Sequence, residues 1–306
     1  MPDLSFDPAF CRRLVAVHGP EAQAWIDGLP ATIDRWRTTW TLGPPRPYPP
    51  TYNWVAAVDR SDGAPCVLKL SPPDARVLIP EAAWLALADG RGAVRLLADA
   101  AEEGALLLER VVPGTPLTAL VPERDDDACA VFAQVIAAYQ RPIDDDRDPR
   151  VAPLPALTER VAELSDHLHR YGDADPLPGG LVAGALEIAD QLLVSAGPDV
   201  ALHGDLHHDN VLLDRDRGWL AIDPHGLRGD PTYEPSALLY NPLRIGPLAA
   251  ALAPRRCRVL AAATGFPEER IRAWGHVQAA LSAVWSLDED PDPDTHVLAV
   301  ADALAP

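Results

Sequence analysis

Lysine is nearly missing from this sequence: of 26 basic residues, Lys69 is the one lysine and the other 25 are arginine. Acidic residues number 45, so the formal net charge is -19. A nucleic-acid partner is therefore not expected, because gripping a phosphate backbone takes clustered basic charge. The acidity suits a cationic small molecule, although many soluble proteins are acidic for solubility alone. No apolar run approaches the ~20 residues that span a bilayer, so no membrane partner is expected either. The opening stretch MPDLSFDPAFCRRL has no basic start followed by an apolar segment, and nothing in it marks the chain for secretion. Cysteine is scarce and scattered: Cys11, Cys66, Cys129 and Cys257 form no C-x-x-C pair. They are expected to be buried, reduced thiols of a cytoplasmic protein.

What is present is ordinary for a folded protein: 306 residues, 48% hydrophobic and 23% charged, with 33 prolines to stiffen loops and stop helices. Such a length suits one large or two medium domains. A genome bias toward arginine explains few lysines but not the survival of one. Lys69 stands in APCVLKLSP, an apolar β-type run after the turn signal SDG. A compact ammonium fits between phosphate oxygens where a planar guanidinium is bulkier, and the alternative is a chance surface lysine.

Along the chain, residues 20–38 look like a helical lead-in interrupted near Gly28 and Pro30. Strand signals follow at 38–42, 52–60 and 66–70, then a helix in ARVLIPEAAWLALADG (75–90) with Gly90 as its stop. Two more apolar runs, AVRLLADA and GALLLERVV, flank an acidic turn. PGTP at 113–116 then reads as the connection between lobes. From there the pattern is mainly helical, roughly 125–141, 156–171 and 181–196, broken by the Pro- and Asp-rich loop RPIDDDRDPRVAPLP. The layout is a small β-rich lobe over residues 1–112 and a larger helical lobe over 113–306.

Deep in the second lobe lies HGDLHHDN (203–210), followed by VLLDRDRGWLAIDPHG. VLLD and WLAID read as a hairpin around the turn RDRG, with Asp223 at its far end. Asp205 and Asn210 are five apart, and Asn210 and Asp223 thirteen apart. Kinase catalytic loops place a base Asp and a metal-binding Asn at that first separation, with a further Asp chelating Mg²⁺. A hairpin returns the oxygens of Asn210 and Asp223 to one end, where they can share a hard cation. Two other readings compete. His203 and His207 are four apart, as zinc ligands on a helix would be, but Gly, Asp and Asn are poor helix interior residues and the H-E-x-x-H glutamate is missing. A crowded polar turn is the other, and neither accounts for Asp223, Lys69 or Glu81.

LHGDLHHDNVLLDRDRGWLAIDPHGLRGDPTYE resembles the aminoglycoside phosphotransferases, and within them the streptomycin 6-phosphotransferase branch of aminoglycoside/hydroxyurea resistance kinases. AWIDGLPATIDRW, CVLKL, GAVRLL with ALLLER, and AVWSLDED are similar to that branch too, so the resemblance runs from about residue 20 to 300. It implies an α+β, bilobal protein-kinase-like fold: a small antiparallel sheet with one helix over a larger, mainly helical lobe. It also implies ATP and Mg²⁺ as cofactors. Asp205 would receive or orient the acceptor hydroxyl, Asn210 and Asp223 would ligate Mg²⁺, and Lys69, paired with Glu81, would hold the α- and β-phosphates. Glu109 and Val111 fall at the hinge that holds adenine through backbone groups. His203 would orient the loop, and His207 and His208 are left unassigned.

The chain departs from that pattern where kinases carry a Gly-rich phosphate loop: between residues 43 and 50 it has one glycine and five prolines, and proline has no N–H to donate. Phosphate contacts would fall to Thr51, Tyr52 or Asn53, and ATP, GTP or weak nucleotide binding all remain open. For a cationic aminocyclitol acceptor, the carboxylate candidates are Asp230, Glu234, Asp288 and Asp290, with a solvated acidic loop as the alternative around 288–290. Trp285 would either stack on a sugar or belong to the core with Trp274 and Leu281. The expected activity is phosphorylation of streptomycin at its 6-hydroxyl. A kinase of hydroxyurea or another small metabolite, a nucleotide-binding pseudokinase and a zinc hydrolase are the competitors. Nothing in the sequence specifies an oligomeric state.

Overall fold

Helix α1 (Glu21–Thr39) opens the described part of the computed structural model, which comprises residues 11–12, 14–15, 19–49, 52–145, 147–289 and 292–306. The helix runs unbroken through Gly28 and Pro30, where the sequence pattern predicted an interruption. Its stripe of Ile26, Leu29, Ile33 and Trp36 is buried against a sheet, and that packing outweighs the amide lost at Pro30. The strand expected at 38–42 does not form. Thr38 and Thr39 close the helix, Trp40 stacks on Trp36, and Leu42 makes a single bridge to Arg60.

The first lobe is a five-stranded antiparallel sheet, ordered β1-β2-β3-β5-β4. Its strands are β1 (Arg46–Pro47), β2 (Trp54–Asp59), β3 (Pro65–Leu70), β4 (Leu96–Ala100) and β5 (Ala105–Glu109). Strand alternation divides its faces. Cys66, Leu68 and Leu70 of β3 pack with Trp54, Ala56 and Val58 beneath α1, which leaves Val67 and Lys69 on the opposite face. Helix α2 (Leu78–Ala88) crosses that side and ends at Asp89 and Gly90, both left-handed. Its apolar residues, Leu78, Ala82, Trp84 and Leu85, join the core of the second lobe. Residues 92–94 are hydrogen-bonded to Ala221 of that lobe as well.

PGTP forms a strand rather than a connection: β6 (Pro113–Pro116) pairs with β8 (Val211–Asp214), which pairs with β9 (Gly218–Ala221). The crossing falls on Arg110–Val112. Helices α3 (Asp125–Tyr139), α4 (Leu157–Tyr171), α5 (Leu181–Val194), α6 (Ser236–Tyr240), α7 (Leu248–Thr264), α8 (Glu268–Glu289) and α9 (Thr295–Leu304) build the rest around a shared core. A two-stranded sheet of β7 (Val200–Leu202) and β10 (Leu227–Gly229) leads into and away from the HGDLHHDN loop. No described helix is long and apolar enough to cross a membrane. The four cysteines are unpaired, three buried and Cys11 half-buried.

One ion pair is sealed in the second lobe: Arg256 of α7 is 0% exposed. Its Nε and Nη2 donate to Asp125 at the start of α3, and Nη1 donates to the carbonyls of Leu238, Leu239 and Asn241 at the end of α6. One side chain therefore ties three helices together. Substituting Arg256 by Ala would strand a buried carboxylate and three carbonyls, at a cost of about 3–5 kcal/mol. Urea unfolding should show that loss, whereas Arg255→Ala, which breaks an exposed pair with Asp126 next door, should leave the midpoint nearly unmoved.

Candidate active site

Between the sheet and the second lobe is a cleft of about 480 Å³ whose lining includes Val55, Val67, Val94, Leu108, Leu212 and Ile222. These apolar side chains make a slot suited to a flat aromatic group. At its rim Val111 is buried, and its backbone N–H and C=O have no partner among the described residues. They leave one donor and one acceptor free at the edge of the slot. Glu109 contributes no side-chain chemistry to the slot. Its carboxylate is taken by Arg217 of the β8–β9 turn and by the Arg95 amide and guanidinium, 3.0 Å each, so it fastens the crossing from outside.

Lys69 reaches the polar end of the cleft because strand phase turns it away from α1. Its Nζ lies 2.5 Å from Glu81 Oε2 in the first turn of α2 and also contacts Asp223 Oδ1. Burial disfavours the ammonium, but the charges of Asp223 and Glu81 outweigh it and raise the lysine's pKa. Glu81 is pushed up to about 7 by burial, against the pull of Lys69. The helical phase that sequence spacing alone could not fix is set by a close approach. Gly226, at φ +71°, sits so near Pro80 that a Cβ would lie 2.3 Å from its carbonyl oxygen. The glycine lets the loop after Asp223 abut the start of α2, and Glu81 is the next residue.

HGDLHHDN is a loop with one short 3-10 turn at His208–Asn210, not a helix, so His203 and His207 do not form an i,i+4 pair. His203 is fully buried, its Nε2–H donates to Ile222 O at 2.8 Å, and its Nδ1 accepts from the Asp205 amide. Burial holds its pKa at about 4, as a neutral spacer requires. His208 is buried away from the cleft, where burial and Arg256 keep it neutral. Among the described residues no three His, Cys, Asp or Glu side chains are placed to hold a metal.

Two oxygen donors come to the same end of the hairpin. Asn210 is bound to Ile222 across the hairpin, and its Nδ2 donates to Asp205 O at 2.9 Å, which leaves Oδ1 for a cation. Asp223, in the left-handed region at φ +58°, presents its carboxylate beside Lys69 with Oδ2 uncommitted. An amide and a carboxylate oxygen fit a hard divalent ion whose other positions go to water and phosphate. Asp205 is on the same loop as Asn210, its carboxylate 3.4 Å from the Asn210 side-chain amide nitrogen. Burial would raise its pKa, but the imidazoles of His207, His225 and His203 bring it down to about 2, so it stays ionised.

The acceptor candidates scatter. Asp230 is enclosed: it accepts from the Thr232 amide and hydroxyl and from Trp274 Nε1 at 2.7–2.9 Å, and it pairs with Arg270. Glu234 is 2% exposed, and its carboxylate accepts from the amides of His203 at 2.8 Å and Gly204 at 3.2 Å. Both acids are therefore committed to internal partners, and Glu234 shapes the loop that carries Asp205. Asp288 is exposed on the last turn of α8 and bridges to Arg170. Asp290 and Thr51 lie outside the described residues. Tyr48, Pro49 and Asn53 line the cleft where a Gly-rich loop would lie. Trp274 and Leu281 are core, but Trp285 is only half-buried, donating Nε1–H to Glu163 with Arg160 over its ring. Sequence reasoning missed Arg160, Glu163 and His225. His225 could have been noticed from its place two residues after Asp223, but nothing separated Arg160 from 24 other arginines.

Comparisons with known proteins place the chain in a family. Residues 39–290 match the family model described as aminoglycoside/hydroxyurea antibiotic resistance kinase. Streptomycin 3''-kinase of Klebsiella pneumoniae is 35% identical over 245 residues, covering 78% of this chain and 85% of the relative. Streptomycin 6-kinase of Streptomyces griseus is 30% identical over 298 residues, covering 94% and 92%. The solved structure of aminoglycoside phosphotransferase APH(4)-Ia with ADP and hygromycin B superposes with a TM-score of 0.58 at 15% identity, covering 89% of this chain and 98% of that one. That likeness shows a shared fold, the bilobal protein-kinase-like architecture with mixed helices and antiparallel sheets. With a family model spanning most of its length, this chain belongs to the aminoglycoside/hydroxyurea antibiotic resistance kinase family.

Proposed function

We propose that this kinase uses ATP and Mg²⁺ to phosphorylate streptomycin at its 6-hydroxyl. The observation that carries the kinase chemistry is the buried Lys69 ammonium held between Glu81 and Asp223, with Asn210 and Asp205 on the adjoining loop. Lys69 would bind phosphate oxygens as a point charge, and Asn210 Oδ1 with Asp223 would hold Mg²⁺. The bound ion would screen phosphate charge. Val111 would take adenine through its free backbone groups. Asp205, ionised and beside the Asn210 side-chain amide, would accept a hydrogen bond from the acceptor hydroxyl and aim its oxygen at the terminal phosphate. A carboxylate with a pKa of about 2 is a weak base, so its contribution is mainly orientation.

Support for the acceptor comes from the relatives. Streptomycin kinases of two regiochemistries match the chain, and the 6-kinase match spans more of both proteins. Streptomycin carries guanidinium groups on its streptidine ring, and a guanidinium fork pairs naturally with carboxylates. Asp288, exposed at the end of α8, is the retained acidic candidate for that contact. The family description names hydroxyurea as well, which keeps a second acceptor class in view.

Asp205→Asn should lower kcat on the order of 10²–10⁴-fold while ATP affinity, measured by titration, stays near that of the parent enzyme. Near-parental turnover would remove Asp205 from the role. Lys69→Arg keeps the charge but not the shape, and ATP turnover should fall sharply; equal activity in a coupled assay would make the lone lysine incidental. Purified enzyme with Mg-ATP should phosphorylate streptomycin and use kanamycin poorly, because 2-deoxystreptamine drugs lack the guanidiniums. Product NMR distinguishes the 6-hydroxyl from the 3''-hydroxyl, and Asp288→Asn should raise KM for streptomycin more than for ATP. Turnover of hydroxyurea or kanamycin with streptomycin left untouched would refute the acceptor and keep the kinase.

A further inference from the structure

The two oxygens of Asp205 are not equivalent. Oδ2 is approached by Asn210 Nδ2 at 3.4 Å, His207 Nε2 at 3.6 Å and His225 Nε2 at 3.7 Å. No hydrogen bond from the described residues reaches Oδ1. One oxygen is thus crowded by nitrogen groups and the other is left for the acceptor.

Of the three, His225 is the one held from outside the HGDLHHDN loop and its hairpin, by a residue of another helix. Its backbone is fixed, because the amides of His225 and Gly226 both donate to His203 O, at 2.9 and 3.1 Å. Its ring is fixed by Arg160 of α4, whose Nη2 lies 3.1 Å from His225 Nδ1. A guanidinium has only donors, so Nδ1 must accept and the ring proton must reside on Nε2. That Nε2–H is the group facing Asp205. Arg160 is itself immobilised: Nη1 donates to Gly204 O at 2.8 Å, and its carbon lies 5.3 Å from the centre of the Trp285 ring. Trp285 in turn is anchored to Glu163 at 2.5 Å.

We propose that Arg160 and His225 form a positioning pair that sets the tautomer of His225, orients Asp205 through Oδ2 and so dedicates Oδ1 to the acceptor hydroxyl. The proposal rests on the kinase reading above and adds to it two residues that act through Asp205 without touching the phosphates. Because α4 and α8 meet at Arg160, Trp285 and Glu163, the same pair connects those two helices to Asp205.

Two measurements test it. In the full-length protein with ¹⁵N-labelled histidine, the His225 resonances, identified by their loss in His225→Gln, should show unprotonated Nδ1 and protonated Nε2. Arg160→Met should shift them toward a mixture of tautomers. This readout needs no acceptor, and a protonated Nδ1 in the parent enzyme overturns the proposal. In the kinetic arm, with streptomycin as acceptor, His225→Ala and Arg160→Met should each lower kcat on the order of 10- to 100-fold, the scale associated with partners that orient a reacting group. KM for ATP should stay within about twofold and the melting midpoint should hold. His225→Gln, whose amide N–H reaches the place of Nε2–H, should recover most of the loss; a merely structural role would not be rescued this way. Equal losses in His225→Ala and His225→Gln, or no loss in either, refute the pair while Asp205→Asn remains inactive. If Asp205→Asn keeps turnover, it is the underlying reading of the site that fails.

Discussion

One ammonium shared by two carboxylates from different parts of the chain is the interaction on which this site depends. Lys69 comes from the sheet, Glu81 from α2 and Asp223 from the hairpin of the other lobe. A buried lysine without partners costs several kcal/mol and tends to lose its proton. Here the partners invert that tendency and raise its pKa, while burial, with the Asp223 charge adding to it, leaves Glu81 pushed up to about 7. A cluster with two negative groups for one positive one is suited to receiving a divalent ion. The apposition of the lobes, the phase of α2 and the left-handed turn at Asp223 all serve to bring these three groups together.

Beneath that cluster a second carboxylate does a different task. Glu234 accepts the amides of His203 and Gly204, and burial pushes its pKa up to about 7. Those two amides belong to the loop that carries Asp205. With His203 braced on Ile222 and the His225 and Gly226 amides bound to His203 O, the loop of Asp205 and the loop after Asp223 are joined by their backbones. Rigid backbone connections of this kind hold a reacting group within the tolerance that phosphoryl transfer needs. Among four acids read as acceptor ligands, two therefore turned out to be internal supports. An acidic side chain near a motif says nothing of which way it faces, since burial and partners decide whether its charge reaches the cleft.

The proline-rich segment before β2 shows how a missing element is compensated. With five prolines thinning the amide donors of that segment, the cleft is lined there by Tyr48, Pro49 and Asn53. The α1 helix likewise tolerates Pro30 because its buried stripe contributes more than the lost amide costs. Local rules predicted a break there, and tertiary packing overrode them.

Sequence by itself determined the parts whose information is local. Period-2 alternation placed Lys69 opposite the core face of β3, the turn RDRG folded VLLD onto WLAI, and fixed separations along one short segment returned Asn210 and Asp223 to the same end. These follow because strand and hairpin geometry depend on near neighbours. Only the tertiary structure decided what depends on distant ones. The rotation of Glu81 toward Lys69 was set by Gly226 against Pro80, and Asp230 was sealed by Arg270 and Trp274. Arg160 reached His225 across 65 residues of chain. No periodicity marks such pairs, since their meeting is fixed by how helices and loops pack rather than by spacing, and one arginine among 25 carries no local sign of where its guanidinium will end.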